Sequence, residues 1–367
     1  MIKKSEKVVI LIPSLKKGGA EKQSVLLANV LSESCKVYLI IIYGNRIEPS
    51  LFNIINQNKV DVLKLNKGFL GQMTEVYNFF RREKITTVFS YLASANFING
   101  VIGKMAGVTN RIGGIRNAKI HKKKLPFERF FHNQLLTMSI SNSYSAVSEL
   151  TQKGFNKNKF HVIHNAFDLK QKLLERHSNK RINILSVARF VPQKDYFTAI
   201  DAIKLIIELL KDSKYTFRYF IVGYGTQEKE IRYKIKKLKL EEHIEIIINP
   251  INLFEYFKKA DIFLTTSLHE GMSNSVMEAM SYSLPIVSTN AGDMKYLVSD
   301  NFNGFICPYR QPIIISEKIV ELATNFNLRK KMGLNSYSIL KNNFSIQKFS
   351  NNYINLFNTF KCQNEKN

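Results

Sequence analysis

Two carboxylates stand eight positions apart in HEGMSNSVMEAMSYSLPIV, the stretch from His269 to Val287. Glu270 follows an apolar run, and Glu278 sits among Val276, Met277, Ala279 and Met280, all of which ask for burial. A carboxylate in that company is costly unless something hydrogen-bonds to it. Two partners fit. One is the vicinal hydroxyl pair that a ribose presents; the other is the helix's own start, because Ser275-x-x-Glu278 matches a capping box. The sequence predicts that this helix begins near Asn274, an accepted N-cap residue, leaving the amides of Ser275 to Met277 available to an anion. Upstream, in SVARFVPQKDYFTAI, Arg189 ends a predicted strand and Lys194 opens the next helix. A lysine there opposes the helix dipole. A phosphate facing Arg189, Lys194 and free amides removes that conflict; a solvated lysine at a loop edge is the plainer account. Gly18–Gly19 likewise read either as a tight turn needing positive φ or as a close approach of backbone to a ligand.

All of these positions fall just beyond strands. KVVILI (7–12), VYLIIIY (37–43), TTVFSYL (86–92), RIGGIR (111–116), TMSISNS (137–143) and KFHVIHNAFD (159–168) form a first series. INILSVARF (182–190), YTFRYFIVGYG (215–225), IEIIINP (244–250), ADIFLTTSLHE (260–270), PIVSTN (285–290) and GFICP (304–308) form a second. Apolar strands alternating with helices predict α/β domains, each a doubly wound, Rossmann-like parallel sheet covered on both faces. The expected boundaries are 1–168, 169–345 and a terminal helix over 346–367, with a cleft between two domains of similar size. In such sheets ligands sit beyond the carboxyl ends of the strands.

The ordered set resembles the retaining glycosyltransferases of the GT-B fold, family 4. It comprises GGAE (Gly18–Glu21), NAFD (Asn165–Asp168), Arg189 with Lys194, Gly223 with Gly225 in VGYG, and Glu270-x7-Glu278. The resemblance implies that Glu278 holds the nucleotide ribose and Glu270 the transferred sugar. Arg189 and Lys194 then neutralise the diphosphate in place of a metal ion, so no cofactor is expected. The amides of Gly271, Met272, Ser273 and Asn274 add to that charge stabilisation, while Gly18, Gly19 and Gly223 let backbone approach the donor. The family's usual Phe-Gly-Leu-Pro is Met272-Ser273-Asn274-Ser275 here. Its acceptor-loop histidine is replaced within IRNAKIH, where Arg116 or His121 can stand, Arg116 being favoured because it directly follows a strand.

Composition sets the wider bounds. The 367-residue chain carries 54 basic and 29 acidic residues, a net charge of +25. Residues 1–170 hold 26 of the basic and 10 of the acidic ones. Such a surface favours phosphorylated small molecules, nucleic acid or anionic lipid. No nucleic-acid module appears, so a basic nucleic-acid binder ranks below a transferase. A sugar-nucleotide epimerase or hydrolase on the same fold needs an acid–base pair that the chain does not offer. On one helix the two glutamates would stand about 12 Å apart, beyond the roughly 5–9.5 Å of paired-carboxylate hydrolysis. Three scattered cysteines fit a reducing compartment. The basic, aromatic AKIHKKKLPFERFFHNQLL (118–136) reads either as a core-facing helix beside a solvated lysine loop or as a membrane-surface element. The expected partners are a nucleotide-sugar donor, with a UDP-linked one favoured, a polyprenyl-diphosphate-linked glycan acceptor and an anionic membrane, with no nucleic acid. The expected location is cytoplasmic, peripheral at the inner face of the membrane, and the expected setting is O-antigen, capsule or a related bacterial polysaccharide.

Overall fold

The computed structural model describes residues 6–16, 18–115, 120–169, 173–250 and 252–364. The chain divides into two units: Met1–Ala166 with Ile346–Asn367, and Phe167–Ser345. The first contains β1 (Lys7–Ile12), β2 (Lys36–Ile41), β3 (Val60–Lys64), β4 (Thr87–Tyr91), β5 (Asn110–Gly114), β6 (Met138–Ser141) and β7 (Phe160–Val162). They form one sheet in the order β3-β2-β1-β4-β5-β6-β7, and every pairing is parallel.

Alternation along β1 explains its apolar run. Val8, Ile10 and Ile12 join a core with Leu27 and Leu31 of the helix Gly19–Leu31. Val9 and Leu11 join a second core with Val76 and Phe80 of the helix Phe69–Arg82. A strand buried on both faces has no place for a polar residue. The terminal helix Ile346–Asn364 sets Phe349, Tyr353, Leu356 and Phe357 into the first of these cores, with Tyr353 edge-on to Phe89 at 5.7 Å between ring centroids.

The second unit holds β8 (Arg181–Val187), β9 (Thr216–Gly223), β10 (Ile244–Ile248), β11 (Ile262–Thr265), β12 (Ile286–Thr289) and β13 (Gly304–Cys307). The order is β10-β9-β8-β11-β12-β13, again wholly parallel. Ile182 and Ile184 pack with Ile200 and Ile203 on one face; Leu185 packs with Met277 and Met280 on the other. Each unit is thus doubly wound, and strand order reverses between β1 and β4 and between β8 and β11. Such switch points open a crevice at the carboxyl ends of the strands. One strand escaped the sequence reading: β3, at the sheet edge, carries Asp61 and Lys64 and has only one fully buried residue. Cys35 and Cys307 are free and buried; burial pushes their thiols up to about 12 and about 11.

Candidate functional site

The β8 and β11 loops bracket the switch point of the second sheet, and both carry predicted residues. β8 ends at Val187, so Arg189 lies two residues beyond it; a single 3₁₀ turn, Pro192–Lys194, then leads into the helix Tyr196–Leu209. Asp195 takes a left-handed conformation at that helix start, φ 46 and ψ 50, and its carboxylate accepts from Thr198 Oγ1 at 2.7 Å.

Lys194 and Glu270 meet. Their side chains, 14% and 11% exposed, form an ion pair between Nζ and Oε1, and Ser267 Oγ donates to the same Glu270 oxygen at 2.8 Å. Three further bonds tie the loops together. Thr266 Oγ1 reaches the Asp195 carbonyl at 2.8 Å, Leu268 N donates to the Gln193 carbonyl at 2.8 Å, and Gln193 Nε2 donates to the His269 carbonyl at 2.6 Å. The sequence reading missed Ser267, Thr266 and Gln193. For Thr266 and Ser267 the signal was the polar run TTS closing an apolar strand.

Arg189 is exposed, and its guanidinium makes no hydrogen bond or ion pair among the described residues. Its backbone is pinned on both sides. Ala188 N donates to the Val222 carbonyl at 3.1 Å and Phe190 N to the Tyr224 carbonyl at 2.8 Å. Gly223 and Gly225 make that approach possible. A Cβ on Gly223 would stand 1.9 Å from the Ala188 oxygen, and one on Gly225 2.3 Å from the Phe190 oxygen. Their φ values of 157° and 158° add a second reason for glycine. The pair shapes the seat from which Arg189 projects.

The helix carrying Glu278 spans Asn274–Ser281 with Ser273 as its N-cap, one residue earlier than Asn274. This overturns the capping box. Counted from Ser273, the third helical residue is Val276, and Ser275 already lies inside the helix, where its hydroxyl stands 3.3 Å from that of Ser273. Glu278 is half-buried, in the helix's second turn. The amides of Gly271, Met272 and Ser273 donate to no acceptor among the described residues. The Met272 side chain is buried in the core with Val276 and Met277, so its amide is what it can offer a ligand; Asn274 is exposed at the first helical position.

Gly18 and Gly19 open the helix after β1 in the first unit. Gly18 is its N-cap with φ −165, an extended conformation open to any residue, and Gly19 has no positive φ. The tight-turn reading therefore fails. A Cβ on Gly18 would meet the Glu21 carboxylate at 2.2 Å. Arg116 lies outside the described residues. His121 is exposed, its Nδ1 accepting from Lys123 N at 3.3 Å. In NAFD, Gln23 clamps Ala166 through Nε2 to its carbonyl at 2.9 Å and Oε1 from its amide at 3.0 Å.

Comparison with known proteins gives this arrangement a context. Residues 168–339 match the family described as glycosyl transferases group 1. The match covers just under half of the chain, and the protein is a glycosyltransferase. It is similar to an N-acetylgalactosamine-N,N'-diacetylbacillosaminyl-diphospho-undecaprenol 4-alpha-N-acetylgalactosaminyltransferase of Campylobacter jejuni, 27% identical over 78% of this chain and 81% of that protein. Similarity to an uncharacterized glycosyltransferase of Methanocaldococcus jannaschii is 31% identical but spans 43% of this chain and only 42% of that protein. Among solved structures, HepE of Anabaena in complex with UDP superposes with a TM-score of 0.80 at 17% identity, over 96% of this chain and 100% of that one. The glycosyltransferase has the GT-B fold.

Proposed function

We propose that this glycosyltransferase moves a hexose or N-acetylhexosamine from a UDP-linked donor to a lipid-linked glycan, with retention of configuration, in bacterial surface-polysaccharide biosynthesis such as O-antigen or capsule. The observation that carries the reading is the junction of the β8 and β11 loops, where Lys194 and Glu270 meet at the second sheet's switch point. Arg189, Lys194 and the amides of Gly271–Ser273 take the leaving diphosphate, and this charge stabilisation is the principal catalytic contribution. No resident metal is required by that scheme. Glu278 accepts from the ribose hydroxyls, and Glu270 from hydroxyls of the transferred sugar. The UDP bound by HepE supports the donor nucleotide, and the diphospho-undecaprenol in the name of the Campylobacter relative supports the carrier. Gly18 and Gly19 serve the donor, and Arg116 serves the acceptor.

Among the described residues no helix is long and apolar enough to cross a membrane. A lipid-borne acceptor places the enzyme at the inner, anionic face of the cell membrane, where the +25 charge suits it. The experiment is thermal protection by a panel of UDP-sugars and GDP-mannose. A ligand at 100 times its Kd stabilises by roughly 2.7 kcal/mol, so one nucleotide class raises the melting temperature and the Glu278→Ala variant loses the gain. Protection by RNA alone refutes the reading.

A further inference from the structure

The first unit exposes an apolar surface that its own core does not use. Phe69 and Leu70, at the start of the helix Phe69–Arg82, are 60% and 79% exposed, and Phe127 and Phe130 are 64% and 53% exposed. The latter two lie three positions apart on the short helix Leu125–Phe130, hence on one side of it. Rings connect the two sites without a break: Phe69 stacks on Phe97 at 6.3 Å, Phe97 meets Phe131 at 5.3 Å, and Phe131 meets Phe130 at 6.2 Å. Large apolar side chains left in water in one contiguous group mark an interaction surface.

The charge beside this surface selects the partner. Lys122, Lys123 and Lys124 immediately precede the helix and are all exposed. Lys122 and Lys123 form no ion pair among the described residues, while Lys124 acts on the half-buried Glu128. Lys67 is already paired with Glu75 at 3.3 Å and contributes less. Exposed aromatics beside free ammonium groups match the boundary between acyl chains and acidic headgroups.

We propose that the Phe69–Leu70 and Phe127–Phe130 surface seats this protein on an anionic bilayer, with the rings in the headgroup boundary and Lys122–Lys124 against lipid phosphates. The biological setting rests on the lipid-carrier reading above, but the binding itself needs neither donor nor acceptor. The test is co-sedimentation of the full chain with phosphatidylglycerol and phosphatidylcholine vesicles over a salt series. Binding to phosphatidylglycerol is expected, falling as salt rises, with little binding to phosphatidylcholine. Replacing Lys122, Lys123 and Lys124 by Gln lowers affinity on the order of 100-fold. Phe127→Ser with Phe130→Ser removes the part that survives high salt. Equal binding to both lipids overturns the proposal, as does indifference to both sets of substitutions. So does a stable dimer in solution that the Phe127→Ser/Phe130→Ser chain no longer forms, since a second copy would then own the surface. Failure of nucleotide protection with vesicle binding intact counts against the donor reading alone.

Discussion

Lys194 Nζ and Glu270 Oε1 form an ion pair across 76 residues of sequence, joining the loop after β8 to the loop after β11. Ser267 shares the same carboxylate oxygen, so Glu270 already has two donors before any sugar arrives. A pair largely screened from water is sensitive to losing one partner, because the other charge is left stranded. Lys194→Ala therefore costs about 3 kcal/mol of stability and reduces turnover on the order of 100-fold or more. Lys194→Met combined with Glu270→Gln recovers most of the stability and none of the turnover. Urea denaturation paired with a transfer assay separates the two effects; single variants as stable as the parent would show that the pair is not closed in solution.

Gly223 faces a harder limit. Its substitution by Ala puts a methyl group 1.9 Å from the Ala188 carbonyl oxygen, and backbone must move to admit it. The expected result is a loss of about 2 kcal/mol together with weaker donor binding, because Ala188 precedes Arg189. Gly68, with open space where a Cβ would go, is the control: Ala there is expected to leave donor affinity unchanged.

Stability in the first unit depends on pH through His132. The ring is wholly buried, Nδ1 accepting from Ser139 Oγ at 2.8 Å and Nε2 donating to the Asn156 carbonyl at 3.0 Å. Those partners fix the neutral Nε2–H tautomer, and burial holds its pKa down to about 4. The unfolded chain, with an ordinary histidine, binds the proton more readily between roughly pH 6.5 and 4. Its contribution is thus present above pH 6.5 and lost as pH falls toward 4, by at most about 3 kcal/mol. Melting temperatures across that range should decline, and His132→Gln should flatten the decline. An unchanged slope in the variant assigns the acid sensitivity elsewhere.

Much of this could be read from residue order because parallel strands buried on both faces announce themselves as apolar runs; β1 was placed to the residue. β3 was invisible for the opposite reason, an edge strand half in solvent with Asp61 and Lys64 in five residues. The helix start slipped by one because Ser273, Asn274 and Ser275 are all competent caps, and only the extended backbone at Ser273 (φ −80, ψ 109) decides between them. Glycine spacing in VGYG was visible, but its target was not: the contact runs from β9 to the β8 loop. The Phe69–Phe97–Phe131 chain was hidden in the same way, since its rings come from three separated helical segments.

Calorimetric titration of UDP into the full chain, with no acceptor present, bears most directly on the central assignment of the β8–β11 loops and Glu278 to the donor nucleotide. One site per chain is expected, weakened on the order of 100-fold in Glu278→Ala, as follows from losing two hydrogen bonds to a charged group, and weakened again when uridine replaces UDP. Undiminished UDP affinity in Glu278→Ala, with Arg189→Ala equally without effect, would contradict it.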